Sequence, residues 1–316
     1  MALLTANLTE LVRVELDHVL FEDLEGLDFN ALVSEIFDVT NSKKKYEFGI
    51  TVAGFQLPAE KSEGASLTFR EIAEGYKTTY THKTFGMASS ISMEAEMDEL
   101  HNVVDRIPRA MSRSFDAMFN YYGSRIFSRA TSTSEDFITG GDAVALLSAS
   151  HPLKHGGTSS NTPSSAVDLN KTSFWAAVNA FYEMLDDGGK PLRNRPDRLL
   201  IPHQYEQKAT ELLESDKDPE SAENAVNALR KRYKVRMVMW PYWIGNVDPD
   251  CWFLLSAKDQ WPKGKYPLKW FWRMPGKNVK TEDYNDFFTK DYLYSGVSRF
   301  SCGYSDWRFL YGSMGA

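Results

Sequence analysis

Apolar and polar positions change rhythm several times along the chain, and each change marks an expected element. Residues 1–45 hold two short apolar patches, Leu11–Leu20 and Leu32–Phe37. The acidic turn Phe21-Glu22-Asp23-Leu24-Glu25-Gly26 separates them, and Lys43-Lys44-Lys45 closes the stretch. That apolar face is too small to fold alone, so the segment reads as an arm, either a surface helix pair or an extension crossing to another subunit. From residue 46 the period becomes two. Tyr46, Phe48, Ile50 and Val52 alternate with Glu47, Gly49, Thr51 and Ala53, the pattern of a strand. A turn-rich stretch from Gly54 to Ser66 leads to Tyr76–Phe85, a run rich in Thr and Tyr. Both faces of that run are largely polar. A lone two-stranded hairpin is marginal in water. The hairpin expected over 46–88 therefore lies on something else, its own domain or a neighbouring subunit.

Between residues 93 and 130 the period is helical. Met97, Leu100, Val104, Ile107, Met111, Phe115, Met118, Tyr122 and Ile126 recur at steps of three and four. Ser92 is placed to cap the N-terminus, and Glu94, Glu96 and Asp98 put negative charge in the first turns. Pro108 is expected to kink or divide this helix. Unbroken, its ~37 residues would span roughly 55 Å, which makes it a spine. Residues 131–172 are polar, with Gly140-Gly141 and Gly156-Gly157. A second helix is expected over 173–187, ended by Gly188-Gly189.

Beyond Pro191 helix and strand patterns alternate. Leu199-Leu200-Ile201 reads as a buried strand, and 203–214 as a helix with Tyr205, Ala209, Leu212 and Leu213 inward. A further helix is expected over 220–232, with Val226 and Leu229 inward. Strands are expected at Lys234–Tyr242, Cys251–Leu255, Tyr266–Met274 and Phe287–Phe300, and the tail 306–311 is expected to return to an earlier sheet. The class is α+β, and no internal repeat is visible.

Composition narrows the function classes. The 316 residues are 42% hydrophobic and 25% charged, as in folded soluble proteins. Aromatics reach 13%, and such side chains dominate cores and interfaces. A net charge of −7 argues against a basic nucleic-acid reader. Cys251 and Cys302 cannot form a disulfide framework. No apolar run approaches a membrane span, and charges at Glu10, Arg13, Glu15 and Asp17 argue against a signal peptide.

Candidate chemistry is thin. His151 and His155 are four apart, a spacing that binds zinc on a helix, but Pro152 and Gly156-Gly157 favour a loop. Gly140-Gly141 lacks the lysine and helix of a phosphate loop. Asp186-Asp187 and Asp216/Asp218 read as solvated faces. Trp261, Trp270 and Trp272 would suit stacking on sugars, but alternation puts Trp270 and Trp272 on one face, favouring a core or an interface. The cations Arg230-Lys231-Arg232 fall in the last turn of a helix, where the dipole favours them.

The order of elements resembles the major capsid protein of tailed phages, the Hong Kong 97 type fold. Gly141-Asp142-x-x-Ala145-Leu146-x-Ser148-x-x-His151-Pro152, followed by Gly156-Gly157-Thr158-x-Ser160-Asn161, is similar to the Mu-like major head subunit family. So are Leu200-Ile201-Pro202 leading into Tyr205–Leu213, Asn224-x-x-Asn227-Ala228-Leu229, and the closing Asp306-Trp307-Arg308. The stretch Gly54-Phe55-x-Leu57-x-x-Glu60-Lys61-x-Glu63-Gly64 matches the family's hairpin arm. The resemblance covers about residues 35–312.

It implies an N-terminal arm at 1–45, an extended loop at 46–88, a peripheral domain with the spine helix at 89–190 and an axial domain at 191–285. Residues 286–316 would be C-terminal strands returning to those domains. It further implies a structural shell subunit without catalytic residues, cofactor or metal. Pentamers and hexamers would close into an icosahedral head around double-stranded DNA, held without sequence specificity. Portal and scaffold or protease proteins would assist, with assembly in the host bacterial cytoplasm and no membrane. Inter-subunit contacts are expected at Phe55, Leu57, Lys61, Tyr80, Trp270 and Trp272. Some relatives crosslink Lys to Asn, but no matching pair is identifiable. Two alternatives stand beside this reading: an encapsulin-like cellular compartment shell, and a carbohydrate-active enzyme or binder using Trp270, Trp272 and paired carboxylates.

Overall fold

A computed structural model describes residues 14, 16–24, 29–52, 58, 60–64, 66, 67, 69, 74–92, 94, 103–134, 140–154, 156–192, 194–217, 226–240, 250–262, 264–274 and 278–315. In chain order its helices are α1 (Phe29–Ile36), α2 (Val103–Ser128), α3 (Lys171–Glu183), α4 (Glu206–Glu214) and α5 (Ala228–Arg232). The strands are β1 (Asp38–Asn41), β2 (Tyr46–Val52), β3 (Glu74–Thr81), β4 (Lys83–Ile91), β5 (His151–Pro152), β6 (Thr158–Ser159), β7 (Pro196–Ile201), β8 (Arg236–Met239), β9 (Trp252–Ser256), β10 (Leu268–Trp272), β11 (Lys280–Asn285), β12 (Tyr292–Tyr304) and β13 (Leu310–Ser313). Two compact units result: Met1–Tyr46 with Thr81–Gly123 and Trp270–Ser301, and Glu47–Tyr80 with Ser124–Lys269 and Cys302–Ala316.

The first unit is built on a sheet in the order β1-β10-β12-β11, with β4 also pairing along β12. Its core is aromatic. Trp270 stacks on Phe300 at 4.9 Å and 7°, and Phe119 meets Trp272 and Phe300 edge-on at 5.1 and 5.4 Å. Met111, Phe115 and Phe119 form the buried stripe of α2. The helix approaches closely because Gly296 has no side chain; a Cβ there would lie 2.8 Å from the Phe115 ring. The helix runs unbroken through Pro108, where division was one expectation, because a proline six residues in removes a single i→i−4 bond. Its 26 residues span about 39 Å, and of the longer helix expected, 95–102 lie outside the described residues. Helical backbone at 16–24 buries Leu16 and Leu20, and the Tyr294 hydroxyl donates to Asp17 at 2.8 Å.

The run expected at Tyr76–Phe85 is two strands. It breaks at His82, which is buried with Nε2 3.1 Å from Ser42 Oγ and Nδ1 3.0 Å from Ser301 Oγ. The strand expected from Phe287 begins instead at Tyr292, and β11 precedes it.

The second unit holds the sheet β13-β9-β7-β8, in which β7 and β8 are parallel and the other pairs antiparallel. The tail thus returns to an earlier sheet, as expected. β7 carries Leu199, Leu200 and Ile201, fully buried, and α4 turns Ala209, Leu212 and Leu213 inward. Phe127 packs on Phe253 and Trp240 at 5.5 and 6.1 Å. α3 starts at a capping box: the Asn170 side chain accepts the Ser173 N–H, and Ser173 Oγ accepts the Asn170 N–H. It ends four residues before the expected stop, because Asp186 accepts the Lys190 N–H and Gly189 turns the chain at φ 75°. α5 starts only at Ala228, capped by Asn227, and leaves Val226 54% exposed rather than inward. The rest of the helix expected there, 220–225, lies outside the described residues, as does the turn 245–249. Cys251 and Cys302 are buried thiols.

Candidate functional site

The segment joining β2 to β3 is fixed at its root within the second unit. The Tyr76 N–H donates to Thr51 Oγ1 at 2.7 Å, and the Tyr76 hydroxyl donates to the Pro152 carbonyl at 3.2 Å. The Lys154 ammonium sits 3.9 Å from the centre of the Tyr76 ring, a cation–π contact. Glycine makes this closeness possible. A Cβ on Gly75 would fall 1.8 Å from the Thr51 carbonyl oxygen, and one on Gly141 2.8 Å from Tyr76 Cβ.

Beneath the root lies a buried polar cluster. His151 Nδ1 is 2.7 Å from Asp142 Oδ2, and both side chains are almost fully enclosed. The His151 ring stacks on Trp307 at 4.2 Å and 9°. Arg308 bridges Asp187 (2.8 Å) and Asp306 (3.1 Å), and its Nε donates to the Leu185 carbonyl (2.9 Å). Burial alone would lower the Arg308 pKa, but Asp306 and Asp187 outweigh it and raise the pKa. The solvated reading of Asp186-Asp187 is thereby corrected: Asp187 is buried, and only Asp186 stays partly exposed, paired with Lys190. No spacing rule could have joined Asp187 to an arginine 121 residues away.

A histidine, carboxylates and a tryptophan in one cluster resemble catalytic furniture, yet the geometry is that of a strut. His151 Nε2 is buried without a hydrogen-bond partner among the described residues, so it activates no described serine or cysteine nucleophile. His151 sits in the two-residue ladder β5–β6 and not on a helix, while His155 lies outside the described residues. A cleft of about 270 Å³ beside the root is lined by Trp261, Pro262, Leu192 and Ile50. Of its carboxylates, Asp187 and Asp306 are held by Arg308 and Asp186 by Lys190. Trp270 and Trp272 are buried in the first unit, so their faces are closed to a sugar.

Several large apolar side chains are exposed. Phe48 and Ile50 on β2 are 51% and 63% exposed, and Phe69 on the connection to β3 is 98% exposed. In the first unit the turn between β11 and β12 presents Phe287 (72%) and Phe288 (91%). That turn is rigid. The Asp286 carboxylate accepts the Phe288 and Thr289 N–H groups at 2.7 and 3.3 Å, and the Lys290 N–H donates to the Asp286 carbonyl. Sequence reasoning missed this pair by reading the two phenylalanines as the start of a strand; the signal was Asp286, a residue that closes turns on its own backbone.

Of the six expected contact residues, Phe55 and Leu57 lie outside the described residues, and Lys61 is exposed. Tyr80, Trp270 and Trp272 are buried within the single chain. Tyr80 is enclosed because its ring covers Gly49, and the two tryptophans because they form the sheet's aromatic core.

Residues 75–313 match the family model described as phage capsid protein. A search of curated proteins finds no similar sequence. Among solved structures, the chain is similar to one from Mycobacterium phage Adephagia, at 10% identity with 90% of each chain covered and a TM-score of 0.55. It is similar to the capsid of a native GTA particle, at 10% identity, 90% of each chain and 0.54. A third, from Microbacterium phage Oxtober96, gives 9% identity, 90% of each chain and 0.52. With three quarters of its length matched by that model and a fold shared along its length with these structures, the chain belongs to the phage capsid protein family, a structural shell protein with the Hong Kong 97 type fold.

Proposed function

We propose that this capsid protein is the major head subunit of a tailed phage of the Mu-like type, assembling as pentamers and hexamers into an icosahedral shell around double-stranded DNA. The observation that carries this reading is the connection from β2 to β3, pinned at its root by Thr51, Tyr76 and Pro152, with Phe69 on it and Phe48 and Ile50 on β2 exposed to water. A closed ring needs two different patches on each subunit. A pre-positioned arm supplies one, and the surface it meets on the next copy supplies the other. The Mu-like motif supports the subtype, because two of its polar residues, Asp142 and His151, are the buried pair under that root.

In this reading 1–45 is the arm and 46–88 the extended loop. Residues 89–190 act as the peripheral domain, 191–285 as the axial domain, and 286–316 as the returning strands. Phe55, Leu57 and Lys61 fall on the contact surface of the extended loop. Tyr80, Trp270 and Trp272 support contacts from within. Portal and scaffold or protease proteins act during assembly in the bacterial cytoplasm, and a chain of charge −7 leaves DNA loosely held.

The test is electron microscopy and light scattering of the full chain beside a variant lacking Gly54–Gly75. The expected result is closed particles from the first and folded, soluble subunits without shells from the second. Normal particles from the deletion variant would remove the arm from assembly.

A further inference from the structure

Two arginines stand directly opposite each other at the edge of the first unit's core. Arg273 follows β10, and its N–H donates to the Arg299 carbonyl on β12 at 2.9 Å. The Ser305 N–H donates to the Pro267 carbonyl, so the partner numbers run in opposite directions and the ladder is antiparallel. In such a ladder hydrogen-bonded partners share a face. Trp272, Ser298 and Phe300 are buried on the other face, while Arg273 and Arg299 are half-exposed.

Neither guanidinium has an ion pair among the described residues, and the Nε of each is buried without a hydrogen-bond partner. Among the described residues, the neighbouring ladder positions do not supply an anion. Thr84 lies across from Arg299 on β4, and Val297 and Phe271 flank the pair. His82 has both ring nitrogens on serine hydroxyls, and Lys280, opposite Val297, is paired with Glu282. Arginine does not shed its charge, and like charges directly across a ladder repel. A negative group from outside the chain would relieve both the repulsion and the unmet donors.

We infer that Arg273 and Arg299 form a carboxylate-binding site filled by an acidic side chain of a second copy of this chain. The inference rests on the shell reading above. A chain with 43 acidic and 36 basic residues offers carboxylates freely, and its net field repels a polyanion. Two forks held side by side on a ladder suit one carboxylate with hydrogen bonds to both. Enclosed charge pairs of this kind fix the register of an interface.

The test compares particle yield, nucleic-acid content and melting temperature for the full chain and two variants. Arg299→Glu puts a carboxylate opposite Arg273 within one chain and fills the site internally. The melting temperature should rise while particle yield falls about tenfold or more. Arg273→Gln with Arg299→Gln should keep the subunit folded and lower the yield similarly. Wild-type yield from both variants overturns the inference and leaves the shell reading standing. Normal shells that retain less nucleic acid also overturn it, assigning the pair to phosphate. A wild-type chain that never leaves the monomer defeats the shell reading itself, and this inference with it.

Discussion

Arg308 and Asp187 meet at 2.8 Å across 121 residues of sequence, each with a side chain 5% exposed or less. Removing one partner of such a pair strands a charge in the interior, at a cost of about 3–5 kcal/mol. Arg308→Met should lower unfolding stability by that amount in urea titrations. Arg308→Met combined with Asp187→Leu should cost clearly less than the two single changes summed. Simple additivity would show that the two side chains are not energetically coupled.

Gly75→Ala tests the arm root. Its Cβ would meet the Thr51 carbonyl at 1.8 Å, and backbone cannot step aside as a side chain does. The strands β2 and β3 must part locally, costing about 1–3 kcal/mol. Limited proteolysis should cut the hairpin faster in the variant, and particle yield should fall. Unchanged protection would mean that the root absorbs the methyl group.

The phenylalanine turn separates stability from association. Phe287→Ser with Phe288→Ser removes side chains that bury little in the free subunit, so stability should stay within about 0.5 kcal/mol. Light scattering should nevertheless show slower and smaller growth of particles, since exposed aromatics anchor interfaces. Equal growth would make the turn a bystander.

Alkaline pH should unfold the chain through its tyrosines. Burial pushes the Tyr266 phenol from 10.0 up to about 12, and burial also raises Tyr80, Tyr294 and Tyr304. Below the unfolded value both states keep the proton and the neutral phenol's advantage is complete. Above it the unfolded chain releases a proton that the folded one holds, so stability falls as pH rises toward 12. Tyr266 alone accounts for about 2–3 kcal/mol over that window. Melting curves at rising pH should show tyrosinate absorbance appearing together with unfolding. Full ionisation in a still-folded chain would contradict the burial.

Much of the fold is legible because apolar period alone decides it. β2 occupies 46–52 as its alternation demands, and Leu199–Ile201 and 203–214 adopt the strand and helical conformations their patterns require. β11 escaped because Lys-Thr-Glu-Asp-Tyr-Asn offers no apolar face; only Thr281 is buried. The break at His82 escaped because its cause, two serines at 42 and 301, is distant in sequence. Asp187 and Arg308 escaped for the same reason. Phe287 and Phe288 misled because aromatic residues favour strands, while the carboxylate of Asp286 closes a turn that overrides that preference. The exposed arm was readable as an element, but which of its side chains meet water depends on how its root is seated.

The two cysteines have a practical consequence. Cys251 and Cys302 are enclosed, and burial holds the Cys302 thiol well above the ordinary cysteine range. A thiol reacts as thiolate and only where reagents reach it. The native pair should therefore stay silent toward maleimides on the folded protein. A cysteine placed at an exposed position such as Lys61 would react ahead of both, so dyes or cargo could be attached at a chosen point without first stripping the chain of its own sulfur.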